Sequence, residues 1–105
     1  MNKIVLYDII SQSNAETTEL GDKVYDIIKP QIEKYVSKDQ PFVIDFTNIN
    51  IITTAFLNNA IGKLFYHIKS NDLIKNMSFS GISNVQLNSL RWSITSAIKK
   101  AEVRQ

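Results

Sequence analysis

The stretch FVIDFTNINIITTAFLNNAIGKLF, residues 42–65, decides the fold. Its first six residues, Phe42 to Thr47, are apolar or β-branched apart from Asp45, the pattern of a central strand covered on both faces. Asn48 to Asn50 is a short polar connection, and Ile51 and Ile52 lead into a turn. Thr53 or Thr54 then has the chemistry of a helix N-cap, a hydroxyl that accepts an otherwise orphaned amide of the first turn. Beyond it Leu57, Ala60, Ile61, Leu64, Phe65 and Ile68 recur at spacings of three and four, one face of an amphipathic helix. A strand that turns into a helix is where α/β proteins often hold a phosphate or place functional groups. The turn at residues 53–56 therefore reads as an active site, a phosphorylation switch or a docking surface.

Working outward, KIVLYDII (residues 3–10) predicts a strand. Ser13 and Glu16 have capping-box spacing. They precede a helical stripe of Leu20, Val24, Ile27, Ile28, Ile32 and Val36. Gly21 weakens that helix by about 1 kcal/mol relative to Ala. Pro30 removes the amide that would bond to the Asp26 carbonyl, so a kink or break is expected near Lys29. Residues 37–41 read as a turn, and the second helix should end near residues 70–72. Asn76 to Ile82 alternates apolar and polar residues and predicts a third strand. Ser83 and Gln86 repeat the capping-box spacing before a last stripe of Leu87, Leu90, Ile94, Ala97, Ile98 and Ala101. Lys99, Lys100 and Arg104 suit the negative pole of that helix. The order β-α-β-α-β-α predicts an α/β sandwich, a mostly parallel sheet packed by helices with right-handed crossovers. A short extra strand fits at Ile49 to Ile52 or at Leu73 to Lys75.

The 105 residues suit one domain, residues 1–105. Such a chain buries roughly two thirds of its unfolded surface, enough for one core. With no cysteine and one histidine, a thiolate metal site and a cysteine nucleophile are excluded, and no metal or other cofactor is expected. The three glycines, Gly21, Gly62 and Gly81, cannot build a nucleotide-binding loop. The net charge of +2 is too weak to indicate nucleic acid. No apolar run approaches the ~18 residues of a membrane span, and the first residues lack the pattern of a signal peptide. A cytoplasmic protein with no membrane or nucleic-acid partner is the expectation.

No set of nucleophile, base and oxyanion donors stands out, so a non-enzyme is expected. His67, at the border of its helical stripe, reads as a partly exposed helical residue. Asp45 is costly to bury without hydrogen bonds. It is either a functional acid at the carboxyl end of its strand or an anchor for the following turn. Phe56 stands just off the buried stripe, which leaves it as an exposed partner anchor or a core residue. Trp92, also off its stripe, suits a homodimer interface or a cover for the sheet edge.

VIDFTNINIITTAFLNNAIGKL resembles the signature of STAS domains, the fold of bacterial anti-sigma-factor antagonists. That signature is an apolar strand ending in Asp, a short connection, and Asp-Ser-Ser-Gly-Leu opening a helix. With Asp45 as the strand Asp the register matches without a gap. Thr53 stands at the motif Asp, Thr54 at the first Ser, Ala55 at the second Ser, Phe56 at the Gly and Leu57 at the Leu. The chain is more closely similar to a bacterial STAS-like family of unknown function. Asp45-Phe46, Ile52-Thr53-Thr54-Ala55, Phe56-Leu57-Asn58 and Gly62-Lys63-Leu64 match its pattern, and the resemblance covers most of the chain.

The resemblance implies a non-catalytic regulatory module without a cofactor. In the sigma-regulating branch a partner ATPase of the histidine-kinase-like fold phosphorylates the second motif Ser and docks the helix that follows. Carried over, it implies a docking surface of Thr53, Thr54, Ala55, Phe56, Asn58, Asn59, Lys63 and Tyr66. Ala55 has no hydroxyl, so the switch at that position cannot operate here. Thr54 and Thr53 are the substitute candidate phosphoacceptors. The alternative is a sensor of a small ligand or nucleotide at the same helix N-terminus.

Overall fold

The computed structural model of the chain describes residues 2–104. It runs β1 (Asn2–Val5), α1 (Leu6–Ile10), β2 (Asn14–Ala15), α2 (Thr18–Ser37), β3 (Phe42–Asp45) and β4 (Ile51–Ile52). There follow α3 (Thr54–Leu57), a π-helical turn (Asn58–Gly62), α4 (Leu64–His67), α5 (Ser70–Asn76), β5 (Met77–Ser80) and α6 (Asn84–Arg104). β1, β3 and β5 form a parallel sheet with β3 in the middle, and β2 and β4 form a separate parallel pair. The α/β class and the parallel pairing are those the alternation of strands and helices predicts. The order is richer than β-α-β-α-β-α, because of the β2–β4 pair and the short helices.

The main sheet buries one face. Across it Ile4, Ile44 and Phe79 are neighbours, as are Asn2, Phe42 and Met77, and Ile4, Phe42 and Ile44 are core residues. On the opposite face the row is Lys3, Val43 and Ser78, with Val43 half-buried and the other two exposed. In the next row of that face Asp45 is buried between half-buried Val5 and Ser80, so β3 is covered fully on one face and partly on the other. Phe46, which made the run look continuous, lies just past β3 and is buried against Phe79 with ring centroids 6.2 Å apart.

Other local expectations give way to tertiary packing. The strand expected over residues 3–10 ends at Val5. Leu6 and Ile10, four apart, are both buried, so a helical turn serves them where a strand would put them on one face with exposed Asp8 between. Ser13 and Glu16 do not cap α2. Thr17 does, its Oγ1 accepting the Leu20 amide at 3.1 Å. Pro30 does not break α2, which is continuous from Thr18 to Ser37. Pro30 and Asp26 are both exposed, so the carbonyl that loses its amide lies on the solvated side. Ile27 is 41 % exposed, and Gly21 and Tyr25 join Val24, Ile28 and Ile32 on the buried stripe instead.

The second long helix is divided into α3, the π turn and α4, and it stops at His67, where Ile68 turns extended. The residues expected as a turn and a short strand, 70–76, form α5, which buries Leu73. The extra strand at Ile51 and Ile52 is present as β4. At the start of α6, the Ser83 amide donates to Gln86 Oε1 at 3.3 Å and Ser83 Oγ accepts the Gln86 amide at 3.2 Å. That is the reciprocal capping box the spacing predicts. Trp92 is 63 % exposed. No helix among the described residues is long and apolar enough to cross a membrane.

Gly21 has a purpose that helix propensity hides. A Cβ at this position would stand 2.8 Å from Asn59 Cβ and 2.8 Å from the Phe56 carbonyl oxygen. α2 therefore lies backbone to backbone on the start of the second helix. In an isolated helix Gly→Ala is favourable by about 1 kcal/mol. Here one obstacle is main chain, and overpacking costs about 1–3 kcal/mol. Gly21→Ala should lower the urea midpoint. A higher midpoint would mean that the two segments are free to separate.

Candidate functional site

The turn that opens α3 is fixed by a frame of backbone bonds. The Asn50 amide donates to the Ser13 carbonyl at 2.8 Å, and the Thr53 amide donates to the Ala15 carbonyl at 3.0 Å. Between them β2 pairs with β4, Asn14 beside Ile51 and Ala15 beside Ile52. Thr53 completes the frame. Its Oγ1 donates to the Glu16 carbonyl at 2.6 Å and accepts the Phe56 amide at 3.1 Å. Thr53 thus caps α3 while Thr17 caps α2, and the parallel pair holds the two helix starts side by side.

The residues of this turn divide by burial. Thr54, Ala55 and Asn58 are exposed, and Thr53, Asn59, Lys63 and Tyr66 are half-buried. Asn58 lies three residues beyond Ala55 and four beyond Thr54, so it neighbours both, the two flanking it on either side. Phe56 is the exception. Its side chain is 0 % exposed, so it packs in the core and cannot be an exposed anchor. The approach of α2 at Gly21 covers this part of the helix.

The second part of the site surrounds the π turn, where the Lys63 amide reaches five residues back to the Asn58 carbonyl at 3.1 Å. Such turns recur at functional sites because the extra residue re-aims the side chains that follow. Lys63 Nζ donates to Asp22 Oδ1 at 2.6 Å, and Asn59 Nδ2 donates to the same oxygen at 3.0 Å. Lys63 Nζ also lies 4.5 Å from the centre of the Tyr25 ring, a cation–π distance. The hydrogen bond from Lys63 holds the Asp22 carboxyl below its ordinary pKa, and burial pushes the Tyr25 hydroxyl up. Asp22 and Tyr25, three apart on α2, were not singled out in the sequence. The signal available was Gly21, which marks where α2 comes close to another backbone.

Asp45 belongs to a different cluster. Its Oδ1 accepts the Thr47 amide at 3.1 Å, the Thr47 hydroxyl at 2.7 Å and the Ser80 hydroxyl at 3.1 Å. Its Oδ2 lies 3.4 Å from Lys3 Nζ. None of these partners comes from residues 53–66. Gly81, at φ +65°, passes so close that a Cβ there would stand 2.7 Å from Asp45 Oδ1. The carboxylate ties the ends of β3 and β5 to the turn after β3. Led by the Thr47 hydroxyl, these donors hold its pKa below the usual value against the opposing effect of burial. His67 is exposed, with its ring 6.3 Å from that of Tyr25. No group of three or more His, Cys, Asp or Glu residues suited to a metal occurs among the described residues.

A family model described as a STAS-like domain of unknown function matches residues 21–87. The matched span starts at the Gly21 approach and includes the Thr53 cap, the π turn and the Ser83 cap. No curated protein and no solved structure matches the chain.

Two expectations test this geometry. Thr53→Ala should destabilise the protein by about 0.5–2 kcal/mol, the range for a lost N-cap. Thr53→Ser should keep most of the stability, since it retains the hydroxyl. Equal denaturation midpoints for the two variants would rule out the hydroxyl as the cap. For Asp45 the folded pKa lies below the ordinary 3.8, so its contribution is fully present above that pH. The contribution is lost as the pH falls through the depressed folded value. The stability difference between wild type and Asp45→Asn should therefore shrink on acidification below about pH 4. A difference independent of pH would show that Asp45 titrates alike in the folded and unfolded chains.

Proposed function

The chain belongs to the family of STAS-like domains of unknown function, and we propose that it is a non-catalytic regulatory module that docks a protein partner. We read its sheet and helices as a STAS-like sandwich, elaborated by the β2–β4 pair, and its setting as the cytoplasm. The docking face is residues 53–66. The observation that carries this reading is the exposed strip of Thr54, Ala55 and Asn58 on a turn held by Thr53. A face fixed in advance loses little conformational entropy on association, which favours recognition. Asn59, Lys63 and Tyr66 extend it along the π turn. By the resemblance to STAS domains, the partner is an ATPase of the histidine-kinase-like fold.

Two features favour docking over chemistry. The Thr53 hydroxyl is engaged by a carbonyl and an amide. Two of the first-turn amides at this helix start are also drawn on. The Phe56 amide bonds Thr53 Oγ1, and the Leu57 amide bonds the Thr53 carbonyl at 3.1 Å. Of the candidate phosphoacceptors, Thr54 is exposed at the start of α3, and Thr53 would lose its cap on modification. A phosphate on Thr54 adds about −1.5 to −2 charges in the middle of the docking strip.

The test uses exposed positions, since substitution of Phe56 would damage the core. Wild type, Ala55→Arg and Asn58→Arg are immobilised in lysate of the source cells, and bound proteins are identified by mass spectrometry. The expected result is an ATPase of the histidine-kinase-like fold held by wild type and reduced about tenfold or more by either variant, as for a central contact. The melting temperatures of the variants should match that of wild type. No ATPase on wild type, or equal retention by both folded variants, overturns the proposal.

A further inference from the structure

The outer side of α6 carries charges with no partner inside the chain. Arg91, Lys99 and Glu102 are exposed, and none has an oppositely charged side chain within ion-pair distance among the described residues. Trp92 stands among them, 63 % exposed. α6 runs unbroken from Asn84 to Arg104, so helix geometry fixes how these groups are spaced.

Arg91 and Glu102 are eleven residues apart, three turns to within about 20°. They therefore share one face, about 16.5 Å from each other. Exposed Thr95 and half-buried Ile98 lie on that face between them. Trp92 and Lys99, seven residues apart, share one flank of it, two turns to within about 20°. The pattern is complementary to itself. We propose that this face of α6 pairs antiparallel with the same face of a second copy of the chain, about a two-fold axis at the level of Ser96 and Ala97.

That axis sets Arg91 opposite Glu102 of the second copy, and Glu102 opposite its Arg91. Thr95 meets Ile98 in both directions. Trp92 and the second copy's Lys99 fall on the same flank, about 3 Å apart along the helix axes, which suits a cation–π contact. Charge selects the orientation and the occupant. A parallel pair in register would set Arg91, Lys99 and Glu102 each against its own kind. The antiparallel pair forms both ion pairs and both cation–π contacts at once, so a second copy supplies the complement this face lacks. Trp and Arg are also the side chains that most often anchor interfaces. Lys100 takes no part, since it lines the cleft between α6 and the π turn. A single helix pair is a small interface of the weak, transient class. It uses no residue from 53–66 and needs no other protein, so this proposal and the docking face can fail separately.

Sedimentation equilibrium on the purified chain at low salt, at concentrations up to about 1 mM, tests the pairing. The average mass should rise with concentration toward twice the 12.0 kDa of one chain. Arg91→Glu and Glu102→Arg should each weaken the association about tenfold or more, because each turns both symmetry-related contacts from attraction into repulsion. An equimolar mixture of the two variants should associate again, since every contact between unlike chains is then complementary. Trp92→Ala should also weaken the association. All three positions are exposed, so the melting temperatures should stay near that of wild type. A mass that remains at one chain throughout overturns the proposal. So does association that the charge variants leave unchanged, or that their mixture fails to restore.

Discussion

The molecule depends on how closely α2 can lie on the second helix. Without a side chain at Gly21, main chain meets main chain there. Three consequences follow from that approach. Phe56 becomes fully buried, because the crossing covers its side of the helix. Asp22, the next residue, comes within 2.6 Å of Lys63 Nζ and 3.0 Å of Asn59 Nδ2. Tyr25, one turn on, comes beneath the same ammonium. The Asp22–Lys63 pair is partly exposed and by itself contributes little stability. Its effect is geometric, since it sets where the Lys63 ammonium sits against α2.

A second constraint acts from the other end. β2 and β4 have two residues each and would not persist alone, since isolated strand pairs are marginal even when longer. They persist because both lead directly into capped helices. Thr17 and Thr53 each accept an amide of their own helix, and Thr53 reaches across to the Glu16 carbonyl. The caps and the pair therefore hold one another in place. An exposed turn between strand and helix would ordinarily be mobile. Here its donors and acceptors are largely used internally, and the side chains left facing solvent stand on a fixed base.

The sequence was most legible where the signal is local. Ser83 and Gln86 form the box their spacing predicts, Thr53 is a cap, and β3 and β5 lie within a residue or two of their expected ends. These follow from short-range chemistry. Apart from Ser13 and Glu16, whose spacing did not make a cap, the failures share a different cause. Leu6 to Ile10 has strand propensity but packs as a helix, since the core lies on the side where Leu6 and Ile10 coincide. Gly21 looked like a weakness because propensity scales take no account of a neighbouring backbone. Phe56 stood just off a stripe drawn for one straight helix, whereas the helix changes pitch at residue 58 and α2 covers its flank. Asp22 entered the candidate site only through contacts with Asn59 and Lys63, 37 and 41 residues away in the chain.

The same geometry bears on whether a phosphorylation switch can simply have moved from position 55 to position 54. One residue along an α-helix is a rotation of about 100° and a rise of about 1.5 Å. A phosphate on Thr54 would therefore project from a different side of α3 than a phosphate on a residue at position 55. Phosphate recognition depends on directed hydrogen bonds from donors held in place. A partner shaped around a phosphate at position 55 would not meet one at position 54 without turning its own donors. Moving the hydroxyl to Thr53 is no easier, because that group already bonds Glu16 and Phe56. With alanine at position 55, the docking we propose does not depend on a phosphate at that position. The exposed strip keeps its frame, and on that proposal control by a phosphate on Thr54 would require a partner fitted to a new direction.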